Sequence, residues 1–259
     1  MTAAPQVEIR PCRTLEEFEA CVLLEKQVWG SPDIEVVPSA LFAVTPKTGG
    51  QVLGAFESGR MIGFVLAVAG CHGGGPGQKP VAYLHSHMTA VLPEHQDSGI
   101  GRRLKLFQRD EALSRGIDLI EWTFDPLEIR NAHFNLMRLG AIVRRFIPNL
   151  YGITASPLHS NMPTDRLVAE WWLDSPRVCA IVAGHPAQIT AGRAVERIEI
   201  PADIAELKKR NPAEAIRVQS HLRDSFQDCL ARGYSATGIE RHGAVHRYIL
   251  EPYSTMEGK

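Results

Sequence analysis

Hydrophobic and polar positions change period several times along the chain, and the changes mark out its elements. Val7 and Ile9 alternate with Glu8 and Arg10, which predicts a short first strand. Thr14 followed by Glu17 forms a capping box. Phe18, Cys21, Val22 and Val28 then carry the buried side of a helix that Gly30-Ser-Pro32 stops. Pro38 to Val44 reads as a shorter helix, and Lys47 to Gly50 as a turn. Val52–Phe56 and Met61–Val68 are strands joined as a hairpin through Glu57-Ser-Gly-Arg60. Residues 70–80, with Gly73-Gly-Gly-Pro-Gly77, read as a mobile connection between strands. No helix start follows that run, so a phosphate role is not expected of it.

The pattern is sharpest from Val81 to Leu104. Tyr83, His85, His87, Thr89 and Val91 alternate with Leu84, Ser86, Met88 and Ala90, so a strand would point the two sets to opposite faces. Pro93 ends the ladder because it has no N–H to give. A polar loop carries Gly99 and Gly101 into a helical segment, with Ser98 as the expected N-cap. A strand, a Gly-bearing loop and a helix N-terminus together make an anion site. The segment 102–115 has five basic residues against two acidic ones, which suits a polyphosphate, although a solvated helix face is the common alternative.

Leu119–Phe124 is a further strand, Asn131–Gly140 a helix closed by its glycine, and Ala141–Ile147 a strand. Beyond it, Pro157–Pro163 is a loop and Asp165–Leu173 an ordered segment. Arg197–Pro201 is a strand, Pro212–Arg232 a helix, and Thr237–Arg241 and His246–Leu250 are strands. Leu230-Ala-Arg-Gly233 echoes Leu113-Ser-Arg-Gly116, which makes the tail a candidate degenerate half-repeat of the core.

Composition narrows the class. With 259 residues, 44% apolar and 22% charged positions and a net charge of −1, the chain reads as a soluble globular protein with no global field for nucleic acid or an anionic membrane. No apolar run reaches the ~20 residues of a membrane span, and the N-terminus lacks a signal pattern. Five scattered cysteines argue against a disulfide framework and a Cys-x-x-Cys zinc site, and point to a reducing cytoplasm.

Gln96-x-x-Gly99-x-Gly101 resembles the (Arg/Gln)-x-x-Gly-x-(Gly/Ala) pyrophosphate loop of the GNAT superfamily of CoA-dependent N-acyltransferases. In that family the loop follows a strand ending in Ala-Val or similar, as Ala90-Val91 does here. The resemblance implies an α/β (α+β) fold: a mixed, mostly antiparallel sheet flanked by helices, over residues 1–153. Residues 154–259 are then a C-terminal extension that shapes the acceptor side or an oligomer interface. It implies acetyl-CoA or another acyl-CoA as cosubstrate, held by Thr89, Ala90, Val91, Gln96, Asp97, Ser98, Gly99, Ile100, Gly101 and Arg102. Asn131 and Asn135 are set to bond the pantetheine arm, or Asn131 only to cap its helix. The helix ending in Leu139-Gly140-Ala141 departs from the family's Tyr-x-Lys-x-Gly-Phe: Leu136 stands at the tyrosine position and Ala141 replaces the phenylalanine. The acid that protonates the leaving thiolate is therefore unassigned, with Tyr151 in reserve.

His85 and His87 stand at i and i+2 on one face and titrate near neutrality, which suits a base for an ammonium; histidines satisfied within a sheet are the plain alternative. The pair is similar to the His-x-His of arylalkylamine N-acetyltransferases. Glu121 is the reserve base. No third ligand stands near the pair at recognisable spacing, so no metal is expected. Trp171 and Trp172 are candidates to line an acceptor pocket or to pack in a core. Arg144 and Arg145 are candidates to pair an acceptor carboxylate. The expected activity is acyl transfer, most simply acetyl, to a primary amine of a small molecule by a monomer or homodimer. Two rival readings stand beside it. One is a non-catalytic CoA-binding regulatory or interaction protein, in line with the missing tyrosine. The other is nicotinamide-dependent reduction, resting on Gly99, Gly101 and Asp125.

Overall fold

The computed structural model describes residues 6–30, 32–73, 79–152, 162–187 and 195–253. Contacts gather these into two compact units that divide between Glu121 and Trp122. The division falls inside a strand.

The first unit runs β1 (Val7–Pro11), α1 (Leu15–Trp29), α2 (Ser39–Val44), a 3-10 turn, β2 (Gln51–Glu57), β3 (Arg60–His72), β4 (Val81–Val91) and α3 (Ile100–Ser114), and ends within β5 (Leu119–Phe124). β1, β2, β3 and β4 pair in that order, all antiparallel. The capping box at Thr14 and Glu17 forms as expected, and the left-handed Gly30 closes α1. Phe18, Cys21 and Leu24 of α1 and Phe42 of α2 pack with Phe64 and Leu66 of β3 in one core. Burying each large apolar side chain contributes about 1.5–3 kcal/mol. Strand β3 extends to His72, so the front of the expected connection is strand; residues 74–78 lie outside the described residues.

The ladder between β3 and β4 shifts register once. Leu66 faces Met88 while its neighbour Ala67 faces Ser86, so β4 spends two residues where β3 spends one. His87 is the extra residue of this bulge. Directly paired residues share a face, so Met88 lies opposite Ser86 despite the even spacing. The unbroken alternation read from the sequence therefore stops at His87. Thr89 and Val91 do not share the face of His85.

The second unit, beyond β5, holds α4 (Ile129–His133), a π-helical turn (Phe134–Leu139), β6 (Ile142–Ile147), β7 (Arg166–Trp172), α5 (Pro176–Val182), β8 (Glu196–Pro201), α6 (Ile204–Arg210), α7 (Pro212–Ala231), β9 (Tyr234–His242) and β10 (Val245–Pro252). Its strands follow the order β7, β6, β9, β10, β8, with antiparallel pairing throughout. Phe226 meets Tyr248 edge-on with ring centres 5.0 Å apart, and Trp171 is fully buried. The echoed Arg-Gly pairs share a stop signal, since Gly116 and Gly233 both have positive φ. They do not mark equivalent arrangements. β10 lies between β8 and β9, whereas the strands flanking α3, β4 and β5, pair directly with each other.

Candidate active site

The loop after β4 is built to bring backbone to its surface. Leu92 N–H bonds to Ile62 O at 2.9 Å and anchors the strand end, and Gln96 Nε2 donates to Val91 O at 3.1 Å. Asp97 and Gly99 then take positive φ, which turns the chain into α3. Gly99 is the N-cap. Ser98 is not, because its hydroxyl donates to His95 O. The helical ladder begins with Arg103 N–H to Gly99 O at 3.0 Å, so the N–H groups of Ile100, Gly101 and Arg102 precede it. Gly101 has no conformational need to be glycine, and a Cβ there would meet only Val91 Cγ2, at 3.9 Å. Its missing side chain leaves open space over the helix start. The basic residues of α3, by contrast, are largely committed inside the unit. Arg103 donates to Val7 O, Arg115 pairs with Glu111 and donates to Gly49 O, and Lys105 is buried. Much of the charge imbalance around α3 is thus taken up by contacts within the unit.

Beside this loop, β4 and β5 pair in parallel at Leu84–Ile120 and His85–Glu121. His85 pairs with Glu121 here, and His87 lies beside His85. The two imidazoles are 6.2 Å apart, and Glu121 is buried rather than solvated. Desolvation is the first cause of a lowered pKa at both histidines, although the His87 residue is itself exposed. It takes His85 down to about 4, helped by the nearby His87 and Lys105. His85 is therefore neutral at neutral pH, outside the range expected of a histidine base.

Two clusters around this strand were not foreseen. On the face with His85, Tyr83 stacks on His72 at 4.0 Å, and His72 Nε2 lies 3.2 Å from Glu121 Oε1. Beneath β4, Lys105 is 3% exposed and donates to Ser86 Oγ at 3.0 Å and Gln108 Oε1 at 2.7 Å. Gln51 Nε2 reaches the Gln108 carbonyl and the Glu111 carboxylate. Burial lowers the Lys105 pKa to about 7. Lys105 and Gln108 are four and seven residues after Gly101 by the 4-3-4 stepping of the stripe Gly101, Lys105, Gln108 and Ala112, a signal present in the sequence.

The remaining candidates belong to the second unit. Asn131 is exposed inside α4, where Glu128 takes the N-cap position. Asn135 is buried, with Nδ2 lacking a partner among the described residues. Tyr151 is exposed and its hydroxyl lies 3.1 Å from Thr123 Oγ1. Asp125 accepts from Leu127 N–H and pairs with Lys208, which removes the ribose contact of the nicotinamide reading. Arg144 and Arg145 both pair with the buried Glu170 and so are not held out for an acceptor. Trp171 is core, its indole N–H donating to Leu139 O at 2.8 Å. Trp172 lines a cavity of about 580 Å³ within this unit, together with Glu170, Arg177, Thr237, Glu251 and Tyr253. Among the described residues no cluster of three or more His, Cys, Asp or Glu could hold a metal ion, and no helix is long and apolar enough to cross a membrane.

Comparison with curated proteins gives no match. Among solved structures, an N-acetyltransferase from Staphylococcus aureus Mu50 is similar at 14% identity and TM-score 0.51, over 65% of this chain and 99% of that one. A protein of Acinetobacter baylyi ADP1 is similar at 16% identity and TM-score 0.50, over 68% and 97%. The ribosomal-protein-S18-alanine N-acetyltransferase from Escherichia coli gives 15% identity and TM-score 0.49, over 73% and 99%. At these identities the first two speak for the fold alone. Residues 18–140 match the family model described as the Acetyltransferase (GNAT) family. Residues 18–140 are thus similar to GNAT-family acetyltransferases, over just under half of the chain.

Proposed function

We propose that the enzyme moves an acetyl group from acetyl-CoA to a primary amine of a small molecule by direct attack, without a covalent enzyme intermediate. The observation that carries this reading is the open helix start at the end of β4. β4 pairs with β5 at His85, and beyond its far end the side-chain-free Gly101 opens the N-terminus of α3. Backbone N–H groups along Thr89, Ala90 and Val91 suit an extended amide-bearing arm. Those from Gln96 to Arg102 suit a pyrophosphate, which helix N-termini favour by dipole and by N–H groups that have no intrahelical partner.

The amine would meet the thioester beside His85, His87 and Glu121. A neutral His85 accepts a hydrogen bond from the amine and orients its lone pair, and Glu121 is the carboxylate that can hold the proton. Direct attack is favoured by where the thiols lie. None is on β4, Cys12 and Cys21 are buried, and Cys71 alternates with His72 and so faces away from it. The test is calorimetric titration with acetyl-CoA, followed by thiol release in the presence of a panel of primary amines. Binding with amine-dependent thiol release is expected; absence of both would overturn the reading.

A further inference from the structure

Resting on the acetyl-transfer reading, we propose that His72 is the proton exit of the site: it takes from Glu121 the proton that the acceptor amine gives up, and passes it to water. His72 is a positioning and relay residue, one strand removed from the edge where acetyl transfer is placed.

Register puts the parts on one face. Val68 pairs with His85 and Gly70 with Tyr83, so Val68, Gly70, His72, Tyr83 and His85 share a face of the sheet, and Glu121 sits beside His85 on β5. β4 lies between β3 and β5, which sets the outer two strands about 9–10 Å apart. His72 and Glu121 bridge that gap over β4 and meet at 3.2 Å. Their exposures differ in the way a relay needs. The Glu121 side chain is 6% exposed and the His72 side chain 42%. The imidazole thus joins a carboxylate enclosed within the sheet to solvent.

The imidazole is also held in place. Tyr83 stacks on it with the rings inclined by 7°. Tyr83 in turn lies over Gly70, where a Cβ would stand 2.4 Å from the ring Cζ. Gly70 has ordinary strand geometry, so clearance for Tyr83 is what its missing side chain provides. Glycine, tyrosine, histidine and glutamate form one built chain, and nothing in the folding of a β-hairpin requires it.

The chemistry balances. The acceptor arrives as an ammonium. One N–H bond breaks and its proton goes to the Glu121 carboxylate. The freed lone pair forms the N–C bond to the acetyl carbonyl carbon. The C–S bond breaks with its electron pair on the CoA sulfur, which takes the second amine proton. Glu121 then passes its proton to His72 Nε2, and the ring releases one from Nδ1 to water. The net products are amide, thiol and one proton in solvent.

The test compares His72→Ala, His72→Gln and Glu121→Gln in the full chain, with acetyl-CoA and the fastest acceptor among 2-phenylethylamine, cadaverine and L-phenylalanine. Both His72 variants should keep acetyl-CoA affinity and lose roughly 10²-fold in kcat, the lower end of positioned proton transfer. Added imidazole should restore most of the loss in His72→Ala, because it can occupy the vacated space and carry the proton. Glu121→Gln should lose at least as much and gain nothing from imidazole, since glutamine cannot take the first proton. A His72→Ala enzyme with wild-type kcat, or with a loss that imidazole leaves untouched, overturns the relay while acetyl transfer stands. A wild-type enzyme that binds no acetyl-CoA and acetylates none of the amines overturns the acetyl-transfer reading, and the relay with it.

Discussion

Lys105 donates a 3.0 Å hydrogen bond to Ser86 from beneath the strand whose opposite face carries His85. A lysine this enclosed prefers to be neutral, and burial brings its pKa down to about 7 from the ordinary 10.5.

That preference makes stability depend on pH. Between about 7 and 10.5 the unfolded chain binds a proton at Lys105 that the folded chain does not. Stability therefore rises with pH across this window, and below about 7 the full penalty of a buried ammonium is felt. Lys105→Met removes the charge and keeps the length. It should stabilise the protein at pH 6 by an amount on the order of a few kcal/mol, with the gain shrinking as pH rises toward 9.5. Urea unfolding at the two pH values measures this. Equal effects at both would mean that Lys105 is charged in the folded state throughout.

The two loop glycines should behave differently, although the sequence motif treats them alike. Gly99 has φ +85, where a side chain is strained by about 1–3 kcal/mol. Gly99→Val should lower the unfolding midpoint as well as acetyl-CoA affinity. Gly101 sits in helical geometry with open space around a Cβ. Gly101→Val should leave the midpoint nearly unchanged and abolish acetyl-CoA binding. Normal calorimetric binding by Gly101→Val would place the pyrophosphate elsewhere.

In the second unit, Asp165 is fully enclosed and accepts two bonds from Arg223, at 2.9 and 3.0 Å, and one from Asn149 N–H at 2.9 Å. Asp165→Asn keeps the shape and removes the charge. Breaking a buried pair from one side costs about 3–5 kcal/mol, and the partial exposure of Arg223 puts this case near the lower end. A denaturant midpoint that moves by less than the error of the measurement would show that the pair is screened.

Much of this was legible in the sequence, for reasons that are local. The Thr14 capping box, the left-handed glycines that close α1 and the π-helical turn, and the strand-loop-helix passage through Gly99 depend on neighbours a few residues apart. What escaped depends on tertiary register. The bulge at His87 exists only because β4 pairs with β3, and it reverses the facing of Thr89 and Val91. His72 joins the site only because β3 continues past Gly70. α5 and α6, at 7 residues each, are too short for a helical period to declare itself. Arg144 and Arg145 looked available because Glu170, their partner, is 25 to 26 residues away in sequence. The low pKa of His85 follows from burial, and the residue type alone suggested the opposite.

The histidine pair gives the last prediction, because two roles predict different losses. If His85 and His87 held the transferred proton, changing both to Gln would cost roughly 10²–10⁴ in kcat and abolish any limb of the pH–rate profile near neutrality. The structure favours a smaller role. His85, held near 4, is neutral throughout the working range and can orient the amine without storing its proton. Losing one such hydrogen bond, worth about 1 kcal/mol, should lower kcat by roughly tenfold or less. Acetyl-CoA affinity should be unchanged. The profile between pH 5 and 8 should keep its shape, and a limb near pH 7 that survives in the double variant but disappears in Lys105→Met would belong to the buried lysine. Steady-state rates of the double variant against pH, with the same amine acceptor as the wild type, decide the matter. A loss of 10²-fold or more with a vanished neutral limb would return the proton to the histidines and remove Glu121 from first place.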